Sequence, residues 1–196
     1  FPELQTLAES LVGAISIIIV EDEREMDDEL PPAKPGCVPI AWHTKAGFDD
    51  EAALARFLAF CDQAGHHPVI SLPAKELSDG TSSLLACSPK PPIITLSPSQ
   101  EKNTVAGYRF LAAYMAKSQI QLPLWIRNRE KDRLFPDEDL FSARLLDASV
   151  LSGSLLCDGI GDLISVENLG SLDRNRGLAY NLLQGARARI SKTEFV

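Results

Sequence analysis

The sequence predicts an α/β fold in which the strands of a parallel sheet alternate with helices. In residues 15–20 five of the six positions are apolar β-formers, a pattern that is typical of a parallel strand covered on both faces. Five further short segments of strand character follow, and helical patterns separate them. This alternation favours parallel βαβ units with right-handed crossovers. The predicted strands are residues 15–20, 38–42, 69–72, 93–96, 122–126 and 163–166.

Three helices are predicted in the first half of the chain. Residues 2–12 have an apolar face, and residues 78–87 form a short helix that the prolines after it stop. Residues 51–63 form the clearest helix, with Asp49 or Asp50 as its N-cap and Gly65 at its end. The side chains expected to face the core from this helix are Leu54, Phe57, Leu58 and Cys61.

Between the first two strands, residues 21–36 are acidic and then rich in proline. They allow two interpretations, a metal-binding or catalytic acidic loop and a solvated connection. We favour the connection, because like charges repel and proline blocks helix and ladder hydrogen bonds.

The histidines also allow two interpretations. His66 and His67 are adjacent and His43 is distant, so no pair has the spacing of metal ligands on one element. We therefore expect a polar turn at the entrance of the third strand rather than a metal site.

In the second half, Asn103 or Thr104 caps a helix that ends at Lys117, and its apolar stripe is predicted to be Val105, Phe110, Leu111 and Tyr114. A further helical pattern starts at Pro136 and continues to Leu155 and Leu156, with an interruption at Gly153. Its apolar positions include Leu140, Leu145 and Leu146. The last predicted helix is 172–185.

Arg127, Asn128 and Arg129 follow the fifth predicted strand. Ligands of parallel α/β proteins bind beyond the carboxyl ends of the strands, so these residues are a candidate phosphate site. The charged residues that follow favour the other interpretation, an exposed loop of mixed charge.

The motif DGIGD, residues 158–162, joins a helix to the sixth strand. Gly159 and Gly161 can supply a positive φ there, and Asp158 and Asp162 can accept backbone N–H bonds. The alternative is a ligand site at the mouth of a barrel. Two carboxylates repel a diphosphate, so we favour the structural role.

A complete (β/α)₈ barrel normally needs about 250 residues. The prediction is therefore a single TIM-barrel-like domain, 1–196, that is partial or compact. The net charge of −8 argues against a nucleic-acid partner, and no apolar run is long enough to span a membrane. The four cysteines have no CxxC spacing, so we expect reduced, buried thiols and a cytoplasmic protein.

Two segments carry a family resemblance: LLCDGIGDLISVEN, and LAYNLLQGARARISKTEFV after it. Together they resemble the middle section of the long, three-domain form of 4-hydroxy-3-methylbut-2-enyl diphosphate synthase, an iron–sulfur enzyme of the non-mevalonate isoprenoid pathway. The matching positions are Asp158, Gly159, Gly161, Asp162, Asn181 to Gly185, Arg187, Arg189 and Lys192 to Glu194.

The resemblance implies that the chain is the inserted domain of this oxidoreductase, which begins at Phe1 without Met because it is a piece of a larger protein. In the family, a separate barrel binds 2-C-methyl-erythritol 2,4-cyclodiphosphate, which is opened reductively. A C-terminal domain carries a [4Fe–4S] cluster, and ferredoxin or flavodoxin supplies electrons. The partners implied for this chain are those two neighbouring domains.

The resemblance assigns no catalytic, cofactor-binding or metal-binding residue to the present chain, because it contains no cluster-binding set of three cysteines with a glutamate. The implied role is a noncatalytic spacer or scaffold, and the piece alone is expected to be inactive. Arg187, Arg189 and Lys192 would complement the last helix or contact the cluster domain. The alternatives are an independent phosphate-binding enzyme that uses Arg127 to Arg129 and DGIGD, and an oligomerisation module with an exposed sheet edge.

Overall fold

The computed structural model describes residues 17–22, 39–44, 50–97, 103–129, 141–167 and 169–188, together with residues 6, 9, 32, 33 and 36. Six parallel strands form a curled, half-barrel sheet in the order β1-β2-β3-β4-β5-β6. The predicted α/β class is therefore confirmed. The strands are β1 (Ile18–Asp22), β2 (Ile40–Thr44), β3 (His67–Leu72), β4 (Ile93–Leu96), β5 (Leu124–Asn128) and β6 (Leu163–Val166).

Helices lie between the consecutive strands from β2 to β6, and several start and end as their sequences predict. Asp50 accepts the N–H groups of Ala52 and Ala53, and Gly65 ends the same helix with φ +79°. Ser78, Asn103 and Ser171 cap three further helices in the same way. The helices are α1 (Glu51–Ala64), α2 (Asp79–Ala86), α3 (Thr104–Lys117), α4 (Phe141–Ala148), α5 (Ser154–Cys157) and α6 (Leu172–Gly185).

A π-helical segment, Ser149–Gly153, joins α4 directly to α5. The interruption that the sequence predicts at Gly153 is thus a change of helix type, with helical backbone angles kept on both sides. Among the described residues, no helix is both long and apolar enough to cross a membrane.

Two apolar layers lie on opposite faces of the sheet. The larger core packs alternate strand residues such as Trp42, Ile70 and Ile126 against helix residues such as Leu58 and Leu111. A smaller cluster on the other face consists of Ala41, Val69, Ile93 and Trp125. Because sequential strand order with right-handed crossovers places all helices on one side, the smaller cluster lies on the concave face.

Some predicted residues face the opposite way. Phe110, Leu145 and Leu146 are exposed, although helical periodicity placed them toward the core. Leu111 of the predicted stripe is buried, as expected. Gly107, Tyr108 and Met115 are buried beside it in place of Phe110, because two apolar stripes compete and only tertiary packing decides between them.

The cysteines and histidines differ in part from expectation. Cys61 is buried as predicted, whereas the free thiols of Cys87 and Cys157 are exposed. His66 is buried and its ring lies edge-on to Trp42 at 5.8 Å between centroids, so the entrance of β3 is not a solvated polar turn.

Several predictions concern residues that lie wholly or partly outside the described part of the chain. Thr6 and Glu9 are helical, and the rest of the predicted helix 2–12 lies outside the described residues. Most of the acidic segment also lies outside them, although Glu21 and Asp22 belong to β1. Cys37, the stretch from Pro136 to Leu140, Arg189 and residues 192–194 likewise lie outside the described residues.

Candidate functional site

The carboxyl ends of the strands carry polar side chains on the concave face of the sheet. In β2 to β6 the residue before the last is polar in every case: His43, Ser71, Thr95, Arg127 and Ser165. Side chains alternate along a strand, so these residues share a face with the small apolar cluster two positions earlier. The concave face therefore has an apolar layer and, at the carboxyl edge, a polar layer.

The polar layer is linked by hydrogen bonds and ring contacts. His43 Nε2 and Ser71 Oγ are 2.6 Å apart, and both side chains are buried. Trp125 lies edge-on to the His43 ring at 6.3 Å and donates from Nε1 to Ser165 Oγ at 3.0 Å. These contacts connect β2 and β3 with β5 and β6 across the concave face.

Arg127 is the main charged group of this layer. Its guanidinium carbon lies 4.7 Å from the centre of the Trp125 ring. Its Nε donates to Glu167 Oε1 at 2.8 Å, and the Arg127 side chain is only 10% exposed. The cation is therefore already held by a carboxylate and an aromatic face, which weakens its attraction for a phosphate.

Tyr108 of α3 ties the helix layer to this edge of the sheet. Its hydroxyl donates to the Trp125 carbonyl at 3.1 Å, accepts the Arg127 N–H at 3.0 Å and lies 3.1 Å from Thr95 Oγ1. Burial raises the pKa of the Tyr108 hydroxyl above its usual value. The neutral hydroxyl is thus a fixed structural link between β4, β5 and α3.

A second polar group lies next to this edge, with Asn128 at the end of β5 and Arg144 and Asp147 on α4. All three side chains are buried. Arg144 Nη2 donates to the Glu167 carbonyl at 2.8 Å, and Arg144 Nη1 lies 3.8 Å from Asp147 Oδ2. A charged pair of this kind stays buried only when it is paired and hydrogen-bonded.

The interpretation of Arg127 to Arg129 as an exposed loop is wrong. Strand β5 starts and ends two residues later than predicted, so Arg127 and Asn128 are strand residues, and Arg129 directly after them is also buried. The charged residues that suggested a loop, Glu130 to Asp132, follow Arg129 in the sequence and come after the end of β5 at Asn128.

The DGIGD motif lies at the opposite edge of the sheet. The Asp162 N–H donates to the Leu124 carbonyl at 2.8 Å, and Asp162 Oδ2 accepts the Leu124 N–H at 2.8 Å. Leu124 is the first residue of β5, and β6 begins at Leu163. A turn that precedes a strand lies at the amino edge, so the alternative of a ligand site at the barrel mouth is wrong.

The structural role predicted for the motif is correct in most details. Gly159 has φ +74° and Gly161 has φ +104°. A Cβ on Gly161 would lie 2.8 Å from Ile126 Cγ1 and closer still to Cδ1, so glycine is needed there for space as well. Asp158 differs from the prediction, because it pairs with Arg109 at 2.8 Å.

The sequence reasoning overlooked most of the polar layer, namely His43, Ser71, Thr95, Trp125, Ser165 and Glu167. A usable signal was present in the predicted strands 69–72, 93–96 and 163–166, where the residue before the last is polar; at β2 and β5 the predicted ends lie two residues too early to show it. Among the described residues, no three His, Cys, Asp or Glu side chains are grouped as metal ligands would be.

Several curated proteins that are similar to this chain share one name. A protein of Chlorobaculum tepidum, 4-hydroxy-3-methylbut-2-en-1-yl diphosphate synthase (flavodoxin), is 38% identical over 88 residues, which are 45% of this chain and 11% of the relative. The protein of the same name from Protochlamydia amoebophila is 28% identical over 194 residues, 99% of this chain and 26% of the relative.

A third protein of this name, from Leptospira interrogans, is 32% identical over 97 residues, 48% of this chain and 13% of the relative. The chain is thus similar to part of these synthases. The matched regions span about a quarter of the relatives' length or less. No protein-family model matches the chain, and no solved structure matches it significantly.

Proposed function

We propose that this chain is an inserted domain of a 4-hydroxy-3-methylbut-2-enyl diphosphate synthase, and that it acts as a noncatalytic scaffold. The observation that carries the proposal is the Protochlamydia amoebophila alignment, which includes 99% of this chain but only 26% of the relative. An alignment of that shape is what a domain within a longer enzyme produces. The sequence resemblance of the DGIGD motif and of the helix after β6 to this family supports the same assignment.

The geometry of the carboxyl edge supports a scaffold rather than a substrate site. A diphosphate site needs cations or N–H donors that are available to the ligand. Here Arg127 is bonded to Glu167, and His43 is bonded to Ser71. The hydrogen bonds within the polar layer fix the positions of the strands relative to one another.

In this proposal the reductive opening of the cyclic diphosphate takes place on other domains of the enzyme. The [4Fe–4S] cluster belongs to a C-terminal domain, and flavodoxin or ferredoxin delivers electrons there. We assign no chemical step to residues of this chain, whose role is to hold the cluster domain at a suitable distance from the substrate barrel.

Calorimetry with 2-C-methyl-erythritol 2,4-cyclodiphosphate tests the scaffold role. The full-length protein should bind this ligand saturably, whereas residues 1–196 alone should give no saturable heat. An Arg127→Met variant of the full-length protein should bind the diphosphate as the parent does, within a factor of two. Saturable binding by residues 1–196 that Arg127→Met abolishes would contradict the scaffold and favour the phosphate-binding alternative.

The parent reading frame tests the family assignment independently. In the family that the chain resembles, the segment matching residues 178–196 stands immediately before a CPSCGRT-type segment whose cysteines begin to bind the cluster, so we expect such a segment soon after Val196. A natural chain without such a segment would contradict the assignment to this family.

A further inference from the structure

Two buried side chains near the carboxyl end of β5 have polar atoms without a hydrogen-bond partner in the described part of the chain. Asn128, the last residue of β5, is 1% exposed, and neither its Oδ1 nor its Nδ2 is hydrogen-bonded. Ser152, in the π-helical segment, is 0% exposed, and its Oγ is not hydrogen-bonded either. Buried amides and hydroxyls of native proteins nearly always have a partner, so each of these groups needs an explanation.

The hydroxyl of Ser152 differs from those of the serines beside it on the same helical stretch. Ser149 Oγ donates to the Leu145 carbonyl at 2.7 Å, and Ser154 Oγ donates to the Leu151 carbonyl at 3.3 Å. These are the usual bonds of serine within a helix. Ser152 makes no such bond to its own helix. Its hydroxyl is therefore available to a partner outside the helix.

Both side chains face the layer between the sheet and its helices. Asn128 comes two residues after Ile126, which belongs to the larger core, so its side chain lies on the helix side of the sheet. The π-helical segment packs against β5, and its buried residues are Leu151 and Ser152. The Asn128 amide and the Ser152 hydroxyl thus belong to the same buried layer.

A line of polar contacts runs from one group towards the other. The Glu167 N–H donates to the Asn128 carbonyl at 3.0 Å, and Arg144 Nη2 donates to the Glu167 carbonyl at 2.8 Å. Arg144 Nη1 in turn lies 3.8 Å from Asp147 Oδ2. Asp147 and Ser152 are five residues apart, which is the hydrogen-bond spacing of a π-helix, and both are fully buried. The layer between β5 and the π-helical segment therefore contains a continuous polar strip.

We propose that ordered water binds in this layer and is shared by the Asn128 amide and the Ser152 hydroxyl. A water molecule can donate to Asn128 Oδ1, accept from Asn128 Nδ2 and bond to Ser152 Oγ. Buried waters in proteins typically have two to four such partners, which are groups that lack a partner in the protein itself. This inference goes beyond the proposed function and does not depend on it.

Charge and burial favour water over other ligands. Arg144 would repel a cation in this layer, and Asp147 would repel an anion, while the pair together carries no net charge. Asn128 and Ser152 are at most 1% exposed, so an organic molecule has no open path to them. A small neutral molecule that both donates and accepts hydrogen bonds is the ligand that fits.

A high-resolution crystal structure of the protein tests the site directly. We expect water density within about 3.2 Å of an amide atom of Asn128, and likewise of Ser152 Oγ. A lack of such density at either group would overturn the proposal, and so would an ion or an organic molecule in its place.

In solution, Ser152→Ala is compared with Ser154→Ala as a matched control. Both changes bring the same gain in helix preference, but Ser154 has its partner within the helix. Water-oxygen relaxation dispersion in NMR detects long-lived internal waters. It should show the loss of at least one in Ser152→Ala and in Asn128→Leu, and no loss in Ser154→Ala. An unchanged number in either of the first two variants would overturn the proposal.

Urea unfolding gives an independent readout of the same serine pair. The midpoint of Ser152→Ala should lie below that of Ser154→Ala by roughly 0.3–0.5 M, because the bound water loses a partner. Removal of a buried hydroxyl that truly has no partner stabilises a protein, so a higher midpoint for Ser152→Ala would overturn the proposal. Ser152→Ala removes a single oxygen, so this test does not depend on the folding of Asn128→Leu.

Discussion

Replacing Gly161 by alanine should destabilise the fold through two separate effects. At φ +104° a residue with a Cβ is strained, which costs on the order of 1–2 kcal/mol. The new Cβ would also lie 2.8 Å from Ile126 Cγ1, in the closely packed core. Overpacking of this kind costs about 1–3 kcal/mol, so the total loss should be about 2–5 kcal/mol.

Gly159→Ala is a matched control two residues away in the same turn. Gly159 also has a positive φ, but a Cβ there has no neighbour within 4 Å. Only the backbone cost of about 1 kcal/mol applies, and the reduced entropy of the unfolded chain partly offsets it.

Urea unfolding of residues 1–196, followed by circular dichroism, should give a smaller midpoint for Gly161→Ala than for Gly159→Ala, with equal slopes. Equal losses in the two variants would refute the reasoning, because they would mean that contact with Ile126 carries no cost. A loss below about 1 kcal/mol for Gly161→Ala would refute it as well.

Three further variants test other parts of the fold. Asp162→Asn should lower the free energy of unfolding in urea by about 1 kcal/mol, because a charged acceptor of the Leu124 N–H becomes neutral. The affinity of the full-length enzyme for the cyclic diphosphate should stay within twofold. Tyr108→Phe should cost about 1–3 kcal/mol in the same assay, since the buried Arg127 N–H loses its acceptor. Burial raises the pKa of Cys61 from 9.0 to about 12, so the thiol of the unfolded chain ionises before that of the folded chain. The free energy of unfolding should therefore fall as pH rises above 9, by up to about 1.4 kcal/mol per pH unit. The Cys61→Ala variant should flatten this slope in unfolding measured from pH 8 to 10.

Local signals were sufficient where the ends of an element are marked in the sequence. Strands β4 and β6 and helix α6 have the predicted bounds. The N-caps Asp50, Ser78 and Asn103 act through side-chain contacts within three residues, which a single sequence reveals. Strands β1, β2 and β5 start two or three residues later than predicted, because pairing with neighbouring strands, and not residue preference, sets where a ladder begins.

The site and the helix faces depend on contacts that are distant in sequence. Arg144 is buried because the Glu167 carbonyl, 23 residues away, accepts its hydrogen bond. Arg127 is held by Glu167, 40 residues away. Periodicity cannot reveal such partners, so it assigned Leu145 and Leu146 to the core and Arg127 to a loop.

The sequential order of the strands has a consequence for how the domain assembles. Every ladder found between described residues joins strands that are consecutive in the chain. Each strand and its helix can therefore add to the preceding unit without waiting for a remote segment to arrive, which keeps the entropic cost of each step low. We expect folding to resemble the growth of a short repeat array, in which a nucleus at β3 and β4 extends in both directions and the two outermost strands are the last to form and the first to open.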